Sequence, residues 1–352
     1  MSRAIPVGKI KVVVVDDSAF VRRAIIRIFE QSPDIQIIDV ASDGVMAVEL
    51  VKKLRPDVVT LDVQMPVLDG LSALERIMTE CPTPVIMLSS LTGKGGDKTL
   101  KALELGAVDF IDKSAAGGPM DIAAIARELT AKIMVAARVD LQKLRGGDGT
   151  KAQPVERHPA TLATDTEVVA IGTSTGGPPA LQAILGKIPA DFPCPILIVQ
   201  HMPMGFTASL AERLDRLSAV SVGEARDGER LQPGKAYLAP AGRHMKIRRV
   251  AGELHIWLDT EPELSLHRPS VDTLLESVAA ACGRKSLALV LTGMGKDGSV
   301  GARAIKESGG RIVVESEETA IVFGMPKAVM DSVAVDAVVP LYTAAETIIR
   351  LV

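Results

Sequence analysis

The feature that most constrains the fold is a repeated alternation of short, continuous apolar runs with segments of helical periodicity. The segments between the runs carry apolar residues at helical spacing. Continuously apolar strands are typical of a parallel sheet that helices cover on both faces. The pattern therefore predicts five βα units in a doubly wound, flavodoxin-like α/β domain. In the first part of the chain the runs occupy residues 11–15, 35–41, 57–63, 84–90 and 107–113.

The second part of the chain repeats the alternation, with one exception. Residues 245–259 alternate apolar and polar side chains around Ala251-Gly252, which predicts an antiparallel hairpin. The other runs predict a second doubly wound α/β domain with a mainly parallel sheet. They occupy residues 167–174, 195–201, 235–242, 287–293 and 311–317.

A segment without apolar periodicity separates the two parts. Residues 145–166 are rich in Gly, Pro, Thr and charged side chains, a composition typical of a solvated linker. The length of 352 residues also suits two domains. We predict one domain at residues 9–140, a linker at residues 141–166 and a second domain at residues 167–352.

Composition limits the classes of partner. The chain has 40 Lys and Arg against 43 Asp and Glu, so binding to nucleic acid is not expected. Its three cysteines are far apart in sequence, which suits a reducing compartment. No stretch has the length of a signal-peptide core or of a membrane span. We expect a cytoplasmic protein that does not insert into a membrane.

Charged and polar residues follow the predicted strands of the first domain. Asp16 and Asp17 follow the first strand, Asp62 the third, Ser89 the fourth and Lys113 the fifth. Carboxyl ends of parallel strands share one edge of a sheet, so these side chains are expected to meet. Acidic residues commonly cap strand ends, but five such positions argue against coincidence. The three carboxylates predict a Mg²⁺ site, with Asp62 as a nucleophile toward a phosphoryl group that Lys113 and Ser89 contact.

The second domain offers a nucleophile, a base and an orienting acid. IGTSTGG places Ser174 at a strand end in a G-x-S-x-G pattern, which exposes a hydroxyl on a sharp turn. His201 ends the next strand, and Asp297 lies in a turn after a third strand. These three side chains are expected to form a triad. The backbone N–H groups of Thr175 and Met294 are candidates for the oxyanion hole.

The other four histidines are weaker candidates for the base. His158 lies in the predicted linker, His255 lies within a strand of the hairpin, and His244 and His267 lie in predicted loops. We expect surface or packing roles for them, and we expect His267 to fix its loop rather than to contact substrate.

A competing interpretation uses the same glycine-rich turn. Gly293, Gly295 and Gly298 form a G-x-G-x-x-G pattern between a strand and a helix, and Glu315 or Glu317 follows the next strand. This arrangement predicts a dinucleotide-binding oxidoreductase. Asp297 within the turn argues against it, because a carboxylate there would repel a pyrophosphate.

The first domain resembles the receiver domain of two-component response regulators over about residues 9–130. The resemblance rests on VVDDSAFVRR, LDVQMPVLDG, MLSS and DFIDK. It implies that Asp62 is the phosphoacceptor and that Phe110 is the rotating aromatic switch residue. Most receivers have Lys-Pro where this chain has Lys113-Ser114, a difference that leaves the lysine in place.

The second domain resembles the catalytic domain of the chemotaxis protein-glutamate methylesterases, the CheB family. The resemblance rests on IGTSTGG, QHMP, HRPSVD and LTGMGKDG. It implies a triad of Ser174, His201 and Asp297 that hydrolyses glutamate γ-methyl esters on chemoreceptors, releases methanol and deamidates receptor glutamines. It also implies a chemotaxis histidine kinase as phosphodonor and no cofactor in the esterase site. A receiver fused to an inactive binding module stays open as an alternative.

Overall fold

The computed structural model describes residues 8–89, 95–113, 122–144 and 165–352. Contacts divide the chain into two units, one up to residue 150 and the other from residue 151 onward. Most of the predicted linker lies outside the described residues. Within the part of the chain that the structure describes, no helix is both long and apolar enough to cross a bilayer.

The first unit contains one five-stranded parallel sheet in the order β2-β1-β3-β4-β5. The chain leaves β1 toward β2 on one side and later returns to β3 on the other, so the carboxyl ends of β1 and β3 flank a crevice. The strands are β1 (Ile10–Val15), β2 (Ile35–Ala41), β3 (Val58–Asp62), β4 (Val85–Ser89) and β5 (Asp109–Asp112).

Side-chain caps begin three helices of this unit. Ser18, Asp43 and Asp69 each accept a backbone N–H from the first turn of the helix that follows. The helices are α1 (Ala19–Phe29), α2 (Gly44–Leu54), α3 (Gly70–Glu80), α4 (Gly95–Glu104), α5 (Ile122–Ala136) and α6 (Leu141–Leu144).

The second unit has a seven-stranded parallel sheet in the order β14-β13-β12-β6-β7-β9-β8 and a separate antiparallel hairpin of β10 and β11. Ala251 and Gly252 form the hairpin turn with φ of 50° and 89°. The strands are β6 (Val168–Thr173), β7 (Ile196–Gln200), β8 (Ser221–Glu224), β9 (Lys235–Leu238), β10 (His244–Val250), β11 (Glu253–Asp259), β12 (Ser286–Val290), β13 (Arg311–Glu315) and β14 (Ala337–Val339).

Helices cover both faces of this sheet, as expected for a doubly wound fold. They are α7 (Gly177–Leu185), α8 (Phe206–Leu217), α9 (Val271–Cys282), α10 (Ser299–Glu307), α11 (Met325–Ser332) and α12 (Leu341–Leu351), with a 3₁₀ turn at Gly283–Lys285.

The fold class predicted from the sequence is confirmed for both units, including the hairpin. Two strands were missed: β8 and β14 are the edges of the seven-stranded sheet, and each has only three or four residues, most of them partly exposed. Such strands lack the continuous apolar run that marks a buried one. His244 was expected in a loop, yet it begins β10 and is fully buried.

Candidate active sites

The carboxyl edge of the first sheet gathers the predicted charged residues. Carboxylate oxygens of Asp16, Asp17 and Asp62 lie within 4.8 Å of one another. Lys113 Nζ lies 3.0 Å from Asp16 Oδ2 and 2.9 Å from Asp62 Oδ2. Asp16 and Asp62 are buried, whereas Asp17 is exposed. Three hard oxygen ligands with one open side fit Mg²⁺, which keeps several of its waters when it binds protein carboxylates.

Burial and repulsion set the charge balance of this cluster. Burial raises the pKa of Asp62, and the neighbouring Asp16 raises it further, while Lys113 opposes the shift without cancelling it. Burial alone would lower the pKa of Lys113, but the adjacent Asp62 and Asp16 outweigh burial and raise it. The site thus holds a firmly protonated lysine beside a carboxylate whose negative charge is only partly stabilised.

Ser89 and Phe110, the other two residues of the predicted phosphoryl switch, each contact a helix of the first unit. Ser89, at the end of β4, shares a 2.7 Å hydrogen bond with Thr99 on α4. Phe110 is buried on β5, and its carbonyl accepts a 2.6 Å hydrogen bond from Lys132 on α5. The Lys132 ammonium also lies 5.5 Å from the centre of the Phe110 ring. Lys132 could not be identified from the sequence, because nothing in a helical repeat indicates which strand a side chain will face.

In the second unit, β6 lies between β7 and β12, so the ends of these three strands meet at a switch in strand order. Ser174 follows β6, and its N–H donates to the carbonyl of Thr292 at 3.0 Å. Gly176 has φ of 80°, which a turn this sharp requires. A Cβ on Gly293 would lie 2.9 Å from Ser174 Cβ, so glycine makes room for the serine.

His201 follows β7 and is held by its backbone and its ring. Its N–H donates to the carbonyl of Thr173, and its Nε2 lies 2.7 Å from Asp297 Oδ2. Gln200 Nε2 donates to the carbonyls of both Ser174 and His201 at 2.9 Å, so it ties the two turns together. His201 Nδ1 is buried and has no hydrogen-bond partner among the described residues.

Asp297 accepts four hydrogen bonds. Ser270 Oγ and the Asp272 N–H donate to Oδ1 at 2.9 Å, while the Val271 N–H and His201 Nε2 share Oδ2 at 2.7 Å. Burial by itself would raise the pKa of Asp297, but the hydrogen bond and charge of His201 and the two backbone donors outweigh it and hold this pKa well below its usual range. Asp297 is therefore a fixed carboxylate.

The HRPSVD segment, whose role the sequence left open, supports this carboxylate. Ser270 caps α9 and contacts Asp297 through its hydroxyl. His267 stacks on His201 with ring centres 4.1 Å apart and an angle of 17° between the planes. Burial, with a further contribution from His201, lowers the pKa of His267 to about 4. At neutral pH an uncharged ring thus covers one face of the His201 imidazole.

Thr292 is a second residue that sequence analysis missed. Its carbonyl accepts from the Ser174 N–H, and its hydroxyl donates to the Thr175 carbonyl at 2.9 Å and accepts from the Val322 N–H at 3.0 Å. Its own N–H donates to Glu315 at 2.8 Å. Thr292 therefore joins the nucleophile turn to the adjacent strand end. Met294, the second oxyanion candidate, follows two residues later and is half-buried.

The glycine-rich turn does not favour a dinucleotide. The backbone N–H groups that would bind a pyrophosphate, those of Gly298, Val300 and Gly301, already donate to Asp272 Oδ1. Glu315, one candidate for a ribose contact, is fully buried and bonded to the Thr292 N–H and to the hydroxyl of Thr319. The oxidoreductase alternative is therefore disfavoured.

A receiver-like α/β unit with a carboxylate cluster, followed by an α/β unit with a Ser-His-Asp arrangement, defines a class: response regulators whose output domain is an enzyme. Family profiles agree with this class. Residues 12–124 match the response regulator receiver domain, and residues 169–348 match CheB methylesterase. The chain belongs to the CheB methylesterase family, as the resemblance predicted.

Known relatives extend the match over nearly the whole chain. The chain is 44% identical to protein-glutamate methylesterase/protein-glutamine glutaminase 1 of Oleidesulfovibrio alaskensis, over 97% of this chain and 99% of the relative. It is 46% identical to the protein-glutamate methylesterase/protein-glutamine glutaminase of Archaeoglobus fulgidus, over 97% of each. The crystal structure of the Thermotoga maritima CheB methylesterase catalytic domain matches at 45% identity with a TM-score of 0.52, covering 53% of this chain and 99% of that one.

Proposed function

We propose that this protein is a phosphorylation-regulated esterase that acts in the cytoplasm on methyl-accepting chemotaxis proteins. It hydrolyses glutamate γ-methyl esters to glutamate and methanol, and it deamidates receptor glutamines by the same route. The observation that carries the proposal is the 2.7 Å contact of His201 with Asp297 at the sheet edge that also bears Ser174. The full-length similarity to relatives named for both activities supports the choice of substrate.

The hydrogen bond to Asp297 defines which ring nitrogen acts as the base. Asp297 is an acceptor only, so His201 Nε2 carries the proton and Nδ1 keeps its lone pair. Nδ1 takes the hydroxyl proton of Ser174 as Oγ attacks the ester carbonyl carbon, and Asp297 stabilises the imidazolium that forms. That proton then leaves with methanol, or with ammonia when the substrate is glutamine.

Water completes the cycle. His201 Nδ1 deprotonates a water that attacks the acyl-enzyme, and it returns the proton to Ser174 Oγ as glutamate is released. We assign the oxyanion hole to the backbone N–H groups of Thr175, which follows Ser174 in the chain, and of Met294, which follows Gly293 in the second glycine-rich turn. The three side chains supply nucleophile, base and orienting acid, so this reaction needs no cofactor.

The first unit is proposed to receive the regulatory phosphoryl group, with a chemotaxis histidine kinase as donor. Asp62 is the nucleophile, and Asp16, Asp17 and Asp62 would hold Mg²⁺, which supplies positive charge for the phosphoryl oxygens. Lys113 adds a second positive charge, and Ser89 exchanges its Thr99 contact for the phosphate. The side chain of Phe110, the aromatic switch residue, then rotates to a new position. We assign the receiver to residues 9–140, the linker to 141–166 and the esterase to 167–352.

Methanol release from methylated receptor membranes tests the proposal. Wild type should release methanol, and acetyl phosphate with Mg²⁺ should raise the rate, whereas EDTA should block that increase. Ser174→Ala should lower turnover by at least about 10³-fold and still accept phosphate at Asp62. Asp62→Asn should keep the basal rate and lose the increase.

Two results would contradict the proposal. Substantial turnover by Ser174→Ala would remove that serine from the mechanism. Receptor binding by wild type without any methanol or ammonia release would favour the inactive binding module instead.

A further inference from the structure

In the esterase unit, α9 and α10 each have a carboxylate from the other segment bound at their N-terminus. Asp297, two residues before α10, accepts the first N–H groups of α9 from Val271 and Asp272. In return Asp272, in the first turn of α9, accepts the N–H groups of Gly298, Val300 and Gly301 at 2.8–2.9 Å through Oδ1 alone. Each carboxylate thus lies at the positive end of the other residue's helix.

The N-terminal turns of α9 and α10 pack so closely that these reciprocal hydrogen bonds have little freedom to move. A Cβ on Gly301 would lie 2.8 Å from the Asp272 carbonyl oxygen and 2.6 Å from Leu275 Cβ. A Cβ on Gly298 would lie 3.0 Å from Val271 Cγ1. Neither segment can shift toward the other, so the position of Asp297 depends on what keeps its turn from moving away from α9.

Asp272 supplies that support at an electrostatic cost. Burial and the neighbouring Asp297 raise the pKa of Asp272 to about 6. Two carboxylates this close destabilise each other unless each is compensated. Three backbone donors compensate Asp272, and four donors compensate Asp297.

We propose that Asp272 is a positioning residue of the esterase: by binding the turn from Gly298 to Gly301 it fixes Asp297 in the orientation that holds His201 Nε2. The proposal rests on the function assigned above to Asp297. Asp272 touches neither Ser174 nor the substrate in this scheme, and its effect on catalysis passes entirely through Asp297.

The test compares three full-length variants. Asp272→Ala removes the acceptor for all three N–H groups, and Asp272→Asn keeps one carbonyl oxygen in the same place. Asp215→Ala is the control, because Asp215 Oδ1 also accepts a backbone N–H, that of Val222 at 2.7 Å, at the start of the edge strand β8 and away from the central strands that bear the triad. Two properties are measured: kcat and KM for methanol release, and the NMR resonance of the His201 Nε2 proton without substrate.

Asp272→Ala should lower kcat about 10²-fold with little change in KM, since the base is misplaced by a fraction of a bond length while the substrate contacts remain. Its Nε2 proton resonance should move upfield or broaden. Asp272→Asn should recover to within about tenfold of wild type, because neutral acceptors bind N–H groups about half as strongly as charged ones. Asp215→Ala should change neither property.

Other outcomes overturn the proposal. An unchanged kcat or an unchanged Nε2 resonance in a folded Asp272→Ala protein would refute it, as would equal losses in Asp272→Ala and Asp215→Ala. If wild type released no methanol but the resonance still responded to Asp272, the proposed substrate would fail and the positioning role would stand.

Discussion

Two aspartates at the carboxyl edges of two parallel sheets, both with side chains less than a tenth exposed, have opposite environments. Asp62 has one strong partner, Lys113 at 2.9 Å, and one long backbone contact at 3.5 Å from the Gln64 N–H, and its pKa is raised. Asp297 accepts four hydrogen bonds of 2.7–2.9 Å, and its pKa is lowered. The carboxyl edge of a parallel sheet therefore holds, in one unit, a carboxylate with few hydrogen-bond donors and, in the other, a carboxylate with four.

The number of hydrogen-bond donors to each carboxylate separates a reactive carboxylate from an orienting one. A carboxylate attacks a phosphoryl group with an oxygen lone pair that nothing else occupies, and Asp62 keeps such lone pairs. Asp297 directs its lone pairs at four fixed donors, so it holds a ring in place and stabilises positive charge there. In this chain the count of donors distinguishes the two roles where burial does not.

The largest expected effect comes from replacing the carboxylate with four donors. Asp297→Asn should lower kcat for methanol release by about 10⁴-fold, because an amide no longer imposes the His201 tautomer that leaves Nδ1 free. Acetyl phosphate should still label Asp62 in this variant. Asp62→Asn is the matched change in the other unit, and it should abolish labelling while the unstimulated kcat remains. A fall in kcat of less than about tenfold for Asp297→Asn would show that the four hydrogen bonds of Asp297 do not mark an orienting carboxylate.

The sequence pointed to polar residues in or near the turns that follow strands, but it did not indicate Asp272, which reaches such a turn from a helix. Ser174, His201 and Asp297 could be proposed from the sequence because the carboxyl ends of neighbouring parallel strands must converge. Asp272 has the sequence context of an ordinary first-turn acid, since Ser270 caps the same helix. Only the packing of α9 against α10 directs it to the turn that bears Asp297.

The ring orientation of His201 and the stacking of His267 on it could not be predicted from the sequence either. His267 lies 66 positions from His201, and no periodicity connects a loop to a strand end across that distance. The edge strands β8 and β14 were missed for a different reason: their pattern is too short and too exposed to be distinguished from a loop.

A smaller effect follows from two buried threonine hydroxyls, one in each unit. Thr292 Oγ1 has a donor and an acceptor partner, whereas Thr60 Oγ1 on β3 has no partner among the described residues. Thr292→Val should cost about 2–3 kcal/mol in urea unfolding and lower kcat, because the Thr175 carbonyl and the Val322 N–H each lose their hydrogen bond to this hydroxyl. Thr60→Val keeps the same shape and should be neutral or stabilising. Equal losses for the two variants would contradict this account of the hydroxyls.

The smallest effect concerns the charge beside each reactive group. In the first unit a lysine with a raised pKa stays charged next to Asp62, while in the second a neutral His267 covers His201. The pKa of His267 is about 4 in the folded protein and about 6.5 when the chain is unfolded. Between these values the unfolded state binds the extra proton. This contribution to stability is therefore complete above pH 6.5 and is lost as the pH falls toward 4.

Urea unfolding of wild type and His267→Gln at several pH values between 7 and 4.5 measures this contribution. The stability difference between the two proteins should shrink by about 1–2 kcal/mol as the pH falls, less than the full pKa shift would give because the ring is partly exposed. An NMR titration of the His267 ring should give a midpoint near 4. Parallel stability curves, or a midpoint near 6.5, would show that the ring accepts a proton readily. A positive charge would then lie against the His201 ring, so the second site, like the first, would hold a positive charge beside its reactive group.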